Sequence, residues 1–489
     1  MVQPGDLLIG LDIGATSVEA AAFAPDGRQL ACVATPGGNQ AAAGGIEHEV
    51  GATWRAAAAA LRQLGQAVPQ LAARTAALAI TGGASGICLL DDDGDAVAPI
   101  WLPDDPRPEQ VVRRWRRDGS AGRIRAITGS PVDAALPSAG LVWLAEHRPD
   151  ALDRAASAFT VKDCVYFLCT GERATDAAAA AAAFGDWRTG TYAERVLELL
   201  GLQRAAHLLP EIIDGTRHHG ELTTAAAAAT GLMAGAPVVL APADTIAIAL
   251  ALGLGGQDAD VGGSVLGPTY AHMRALDAAA AESAAGDVAV MPLPLAGRWL
   301  GLARQSGTQN VDWLIGMAEQ LVVDAGLIGL ARGELRATLE RRAAEAAPAA
   351  PRYRPFGTEA HGAFEGLSSD TTFPDLLRAI YQGLGGAARD CYAALGLQPA
   401  EVRVVDAGSA GTAARAALAA CLGVPLRTSA CAAPAATGAA LVAAVSLGHY
   451  RTLADGFAEW VEPRLSEGPA AARQPGARSP LGSAAPAPA

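Results

Sequence analysis

Two acids stand out for their surroundings. Asp12 follows the apolar run Leu7-Leu8-Ile9-Gly10-Leu11 and precedes Gly14-Ala15-Thr16-Ser17; Asp244 follows Pro237–Leu240 and opens an apolar stretch. The first segment reads as a hairpin whose turn carries a carboxylate, hydroxyls and bare backbone N–H groups. Such a turn can meet phosphate oxygens with its donors and a cation with its acid. An ordinary hairpin with Gly14 at positive φ explains the same residues. Asp244 reads either as a helix N-cap or as a general base held rigidly between a strand end and a helix start, and the two roles are compatible.

Four small-residue loops follow apolar strands: Asp12–Ser17, Ala243–Thr245, Gly262–Thr269 and Ala407–Thr412. Small residues let backbone approach a ligand closely. Four such loops in one chain point to a nucleotide cleft between two domains. Phosphoryl transfer needs this equipment: acids for Mg²⁺, donors for phosphates, and a base for the acceptor hydroxyl.

The elements that would position these loops alternate. Strands are expected at Leu7–Leu11, Ala20–Ala24, Gln29–Ala34, Ala76–Ile80, Pro237–Leu240, Val288–Met291, Trp299–Ala303 and Val402–Val405. Helices are expected at Trp54–Leu64, Val161–Leu168, Thr245–Leu254, Val311–Ala318, Pro374–Ala394, Thr412–Leu422 and Thr437–Ser446. Alternation of this kind indicates α/β domains. At 489 residues the chain exceeds a single core. Residues 464–489 are rich in Pro, Ala, Gly, Ser and Arg and read as a disordered tail.

Composition narrows the function. The net charge of −13 argues against a nucleic-acid binder, and Arg113–Arg117 reads as an exposed helix face. No apolar run reads as a membrane span and no secretory signal is visible. Seven scattered cysteines without metal spacing read as reduced thiols, mostly buried, of a cytoplasmic protein. The adjacent His218 and His219 read as a surface loop rather than a metal site, and His272 as a packed residue. Lys162 is the only lysine, which suggests a site needing a compact ammonium.

Several segments, in order, resemble the FGGY-type carbohydrate kinases over roughly residues 7 to 450. They are the opening turn, Ile46-Glu47-His48-Glu49 before Trp54, and Asp105-Pro106-Arg107 after Trp101. Lys162-Asp163 before Leu168–Glu172, the approach from Thr230 to Asp244, Gly362–Leu367, and Gly408–Thr412 continue the series. Phe184–Thr189, Gly215–His219, Leu266–Arg274 and Asn310–Leu314 look most like the erythritol kinases within that family.

The resemblance implies two actin-like (ribonuclease H-like) α/β domains around a central cleft, 1–246 on the sugar and phosphate side and 247–463 on the nucleotide side. It implies ATP and Mg²⁺ as cofactors, a small polyol or sugar as substrate, no nucleic-acid or membrane partner, and a homodimer as the candidate assembly. Asp244 would be the catalytic base. Asp12 would serve the metal through phosphate or water, with Gly14, Thr16, Ser17, Gly267 and Thr269 at the phosphates. Asn310, Asp312, Gly408, Ser409, Gly411 and Thr412 would line the nucleotide side. Ser85, Asp105, Arg107, Asp244 and Thr245 would face the substrate.

The chain departs from the family pattern at five places, among them Ala15, which loses a hydroxyl of the turn, and Ala407–Gly411, which lacks the family's Gly-Gly pair and Arg; the other three bear most directly on the ligands. Glu19 stands where the family has Lys or Arg, and a carboxylate there would repel phosphate. Gly267-Pro268 replaces Gly-Thr, removing a hydroxyl and an N–H. Gly82-Gly83-Ala84-Ser85-Gly86 lacks the long polar side chains of the sugar loop. The expected activity is phosphorylation of a primary hydroxyl of a small polyol; the alternative is a weakened relative that binds without efficient turnover.

Overall fold

The computed structural model describes residues 5–37, 47–98, 100–101, 105–256, 260–284, 286–324, 332–345, 351–357, 361–406 and 411–467. The first half places β1 (Leu7–Ile13), β2 (Ser17–Phe23) and β3 (Gln29–Pro36) ahead of α1 (Val50–Ala67) and β4 (Thr75–Gly82). Further on come α2 (Val161–Thr170), β5 (Pro237–Leu240) and α3 (Asp244–Ala251). The second half begins with β6 (Val261–Leu266), β7 (Thr269–Leu276), β8 (Ala289–Pro292), β9 (Trp299–Ser306) and α4 (Gln309–Asp324). It continues with α5 (Phe373–Ala394), β10 (Glu401–Asp406), α6 (Gly411–Leu422), β11 (Leu426–Ser429), α7 (Pro434–Ser446), α8 (Leu453–Trp460) and β12 (Leu465–Glu467).

The two main sheets share one plan. In the first, the order is β3-β2-β1-β4-β5, extended by the short strand Gly220–Glu221. In the second it is β9-β7-β6-β10-β11, extended by β8 at one edge and β12 at the other. Each starts with antiparallel pairing and continues with parallel strands. The β1–β2 and β6–β7 turns therefore occupy equivalent places, and both carry residues expected at phosphates.

Burial follows from side-chain alternation. Leu7, Ile9, Leu11 and Ile13 of β1 join one cluster with Leu61 of α1 and Val165 of α2. Leu8 on the opposite face joins a second cluster that runs through Ile246 and Leu250 of α3 and Ala440 and Leu441 of α7 to Leu300 and Leu302 of β9. This second core ties the halves together. Helices α7 and α8, late in the chain, thus pack on the first sheet. Trp460 lies 5.5 Å from Phe23, centroid to centroid, and donates to the Pro25 carbonyl.

Glycine makes that packing close. A Cβ at Gly10 would sit 1.9 Å from the Ala436 carbonyl oxygen, and one at Gly438 would sit 1.8 Å from that of Ala247. So α7 touches both β1 and α3 through backbone.

Lys162 anchors the first half differently. Its Nζ, fully buried, lies 2.5 Å from Asp163 Oδ1 and 2.8 Å from Asp176 Oδ2. Burial pulls its pKa down, and the two carboxylates more than reverse that, so the ammonium is held charged. Asp176 also caps the helix Ala177–Phe184. A compact point charge between two acids suits Lys better than Arg.

Several expectations change. Gly262–Leu266 belongs to β6, so the second loop shrinks to Gly267-Pro268. Asp12 and Ile13 are strand residues of β1. Gly14 does not have positive φ; its smallness matters because a Cβ there would lie 2.7 Å from the Ser17 carbonyl oxygen. The Ala-rich helices Ala177–Phe184 and Thr224–Thr230 escaped notice because uniform alanine has no apolar period. Leu465–Glu467 pairs with β11, so order extends into the segment expected as tail; 468–489 lie outside the described residues. All seven cysteines are free, but Cys88, Cys164 and Cys169 alone are buried and the other four are partly exposed. Among the described residues no helix is long and apolar enough to cross a membrane.

Gly438→Ala is expected to lower stability by about 1–3 kcal/mol, outweighing the ~1 kcal/mol that Ala gains over Gly inside a helix. The atom met is backbone and cannot turn aside. Denaturant unfolding reads the change, and an unaltered midpoint would show that α7 can move off α3 freely.

Candidate functional site

Asp12, Thr81 and Asp244 meet at the carboxyl ends of the parallel strands β1, β4 and β5, where open α/β sheets place ligands. Asp12 pairs in register with Thr81 on one side and Glu19 on the other. Ala241 N donates to the Ile80 carbonyl at 2.9 Å, and Thr81 Oγ1 to the Pro242 carbonyl at 2.6 Å. These bonds hold the short connection that delivers Asp244. Thr81 was not singled out from sequence; the available signal was a hydroxyl ending a buried strand.

Asp244 is the first residue of α3, and Ala243 takes the N-cap position without a side-chain cap bond. The N-cap reading of Asp244 is corrected accordingly. Its Oδ1 accepts from Thr245 N at 2.5 Å and Thr245 Oγ1 at 3.1 Å. Thr245 is therefore a partner of the acid. Asp244 Oδ2 faces the glycine loop: a Cβ at Gly83 would lie 3.9 Å from it and 3.4 Å from Ser85 Oγ. Ser85, Gly83 and Asp244 are thus close neighbours.

Asp12 is electrostatically uncomfortable. Burial first, then the Asp244 charge, then that of Glu19, raises its pKa well above the ordinary value. Its Oδ1 is buried and meets no hydrogen-bond partner among the described residues. An orphaned carboxylate oxygen beside two further acids is a fitting place for a cation. Magnesium suits it, because that ion commonly takes one or two carboxylates and completes its shell with water and phosphate. Among the described residues no group of three or more His, Cys, Asp or Glu could hold a metal by itself. Burial raises the pKa of Glu19 too.

Both turns are pinned by backbone hydrogen bonds. Gly14 N donates to the Ser17 carbonyl at 3.0 Å and Gly37 N to the Thr16 carbonyl at 2.8 Å. Across the chain, Gly307 N and Thr308 N donate to the Pro268 and Gly267 carbonyls at 2.8 and 2.9 Å. Gly267 is buried, while Pro268 and Thr269 are exposed.

The nucleotide-side residues are less uniform. Asn310 is fully buried: its amide nitrogen donates to Gly307 O, and its oxygen accepts from Tyr353 Oη at 2.9 Å and Phe356 N at 3.0 Å. That bonding fixes the segment 351–357 against α4. Asp312 is exposed and bonds Arg336 at 2.7 Å. Gly411, at φ +66°, opens α6, and the Thr412 hydroxyl accepts from Arg415, which also pairs with Asp406. Gly408 and Ser409 lie outside the described residues.

Asp105 and Arg107 form a pair of their own. Asp105 is buried, and Arg107 Nη2 lies 2.6 Å from its Oδ2 with Nε 3.0 Å from both oxygens. The guanidinium carbon sits 5.4 Å from the Trp143 ring centroid. His218, at the surface, bonds Glu172 at 2.8 Å, and His272 is buried with Nδ1 2.9 Å from Ser264 Oγ.

Comparisons with known proteins converge on one family. Residues 7–251 match the N-terminal domain of the FGGY family of carbohydrate kinases, and residues 264–447 match its C-terminal domain. An erythritol kinase from Brucella abortus (strain 2308) is 38% identical, over 97% of this chain and 94% of its own length. The crystal structure of xylulose kinase from Rhodospirillum rubrum superposes with a TM-score of 0.82 at 25% identity, covering 95% of this chain and 94% of that one. A Plasmodium falciparum glycerol kinase with ADP, at 12% identity and TM-score 0.77, shares the fold, covering 93% of this chain and 92% of its own. With both halves matched in order and the two sheets built on one actin-like plan, this chain belongs to the FGGY family of carbohydrate kinases.

Proposed function

We propose that this kinase transfers the γ-phosphoryl group of Mg-ATP to a primary hydroxyl of a small polyol, erythritol or a close analogue. One observation carries the reading: Asp244 Oδ2 lies beside Gly83 and Ser85, on the same strand ends as the buried acid Asp12. Family membership supports ATP as donor, and the 38% identity to an erythritol kinase over nearly the whole chain supports a polyol acceptor.

In this reading Asp244 accepts the hydroxyl proton as the substrate oxygen attacks the γ-phosphorus. The bond to the bridging oxygen breaks, and ADP leaves as the phosphate ester forms. Thr245, bonded to Oδ1, leaves Oδ2 for the substrate. Asp12, directly or through water, would hold Mg²⁺, which when bound neutralises phosphate charge. The Gly14–Ser17 and Gly267–Thr269 turns offer backbone and hydroxyl donors. Ser85 and the Asp105–Arg107 pair would shape the acceptor site, while Asn310, Asp312, Gly411 and Thr412 support the nucleotide side. The weakened-relative alternative drew on Glu19, Pro268 and the Gly82–Gly86 loop, and the comparisons offer nothing in its favour.

ADP release with Mg-ATP and a panel of polyols and ketoses tests the reading. Turnover is expected with erythritol or a near relative, and Asp244→Asn should reduce kcat by about 10²-fold or more. Absence of turnover with every acceptor, or an Asn variant as fast as the wild type, would refute it.

Asp12 also makes a prediction for pH. Its folded pKa lies above the unfolded value near 3.8. Protonated Asp12 is at ease in the fold, so its penalty is absent below about pH 3.8, grows as pH rises to the folded pKa, and persists above it. Asp12→Asn should therefore raise the melting temperature of the ligand-free protein at neutral pH, with the gain shrinking as pH falls towards 4. A gain independent of pH, or a loss at neutral pH, would contradict this origin.

A further inference from the structure

A cavity of about 790 Å³ has a lining that does not include Asp12, Asp244, Ser85 or the turns at Gly14–Ser17 and Gly267–Thr269. Its size falls in the range of small-molecule sites. Its walls come from the β8–β9 connection of the second half, from the first half around residues 212–217 and 240–242, and from the ends of α7 and α8. The floor is apolar, with Leu240, Leu293 and Val442.

The charge at the rim runs against the chain as a whole. The protein carries −13, yet four arginines line this cavity (Arg188, Arg217, Arg298 and Arg451) against two acids, Asp176 and Asp214. Asp176 is already matched by Lys162. Arg188 is engaged with Glu282 at 2.6 Å, and Arg217 lies 3.6 Å from Asp214. Arg298 and Arg451 have no ion pair among the described residues. Two arginines without an ion pair, in a lining that also holds apolar side chains, fit an anion with a carbon body, because guanidinium takes phosphate in a forked geometry.

We propose that this cavity binds a small organic phosphate ester. The occupant would touch the β8–β9 connection and Pro242 together. Pro242 accepts the Thr81 hydroxyl in the connection that carries Asp244, so the ester would bridge the two halves beside the catalytic acid's support. Binding here does not depend on the catalytic reading: the acceptor assay and the following titration can fail separately.

Calorimetric titration of the full chain with glycerol 3-phosphate and, separately, inorganic phosphate tests the site. The ester is expected to bind, more tightly than inorganic phosphate because the floor receives its carbon body. The Arg298→Ala/Arg451→Ala double variant should weaken ester binding by about 10-fold or more, while its Mg-ATP titration matches the wild type. Arg451→Ala alone, on an exposed residue, should show a smaller loss and serves if the double variant does not fold. Three results would overturn the proposal: no ester binding at millimolar concentration, ester affinity unchanged in the variants, or inorganic phosphate binding as tightly as the ester.

Discussion

The close seating of α7 on β1 and α3 is the constraint from which the site follows. Backbone meets backbone at Gly10–Ala436 and Gly438–Ala247, so no side chain separates the helix from the strand that carries Asp12 or from the helix that Asp244 opens. Protein interiors transmit strain because they are close-packed, and a contact without side chains has little room to adjust. The same helix lies in the core that reaches Leu300 and Leu302 of the second sheet. The two acids are therefore referenced to a segment that also holds the halves together.

The cost of the arrangement is electrostatic. Asp12, Glu19 and Asp244 crowd one side of the first sheet, and the pKa of Asp12 rises under burial and the two neighbouring charges. Glu19, cross-strand from Asp12, adds negative charge beside it. Burial also lifts the pKa of Glu19. Strain of this kind is common where a fold reserves a place for a charged ligand. Lys162 shows the contrasting solution: its two buried acids are answered within the fold, and nothing further is required of solvent.

Much of the fold was legible because its strands are short apolar runs broken by small residues. Pro237–Leu240 and the loop after it were readable to the residue, since a proline starts the strand and a second one interrupts it. Asp12 and Asp244 were found by the contrast between an acid and its apolar surroundings. Thr81 was not, because its importance lies in a bond to the Pro242 carbonyl, 161 positions away in sequence. Gly10 and Gly438 were equally silent: a glycine within an apolar run does not announce which backbone it will meet. The Asn310 side chain illustrates a further limit, since only the folded chain reveals that Gly307, Tyr353 and Phe356 occupy it.

On the proposed function, the cluster of Asp12, Glu19 and Asp244 accepts ATP together with a cation and disfavours ATP alone. Calorimetric titration of ATP with Mg²⁺ and with a chelator, in the wild type and in Glu19→Arg, examines this directly. Mg-ATP should bind the wild type about 10-fold or more tightly than metal-free ATP, and Glu19→Arg should narrow that gap by strengthening metal-free binding. Equal affinity with and without Mg²⁺ in the wild type, or a Glu19→Arg variant with unchanged ATP affinity, would contradict it.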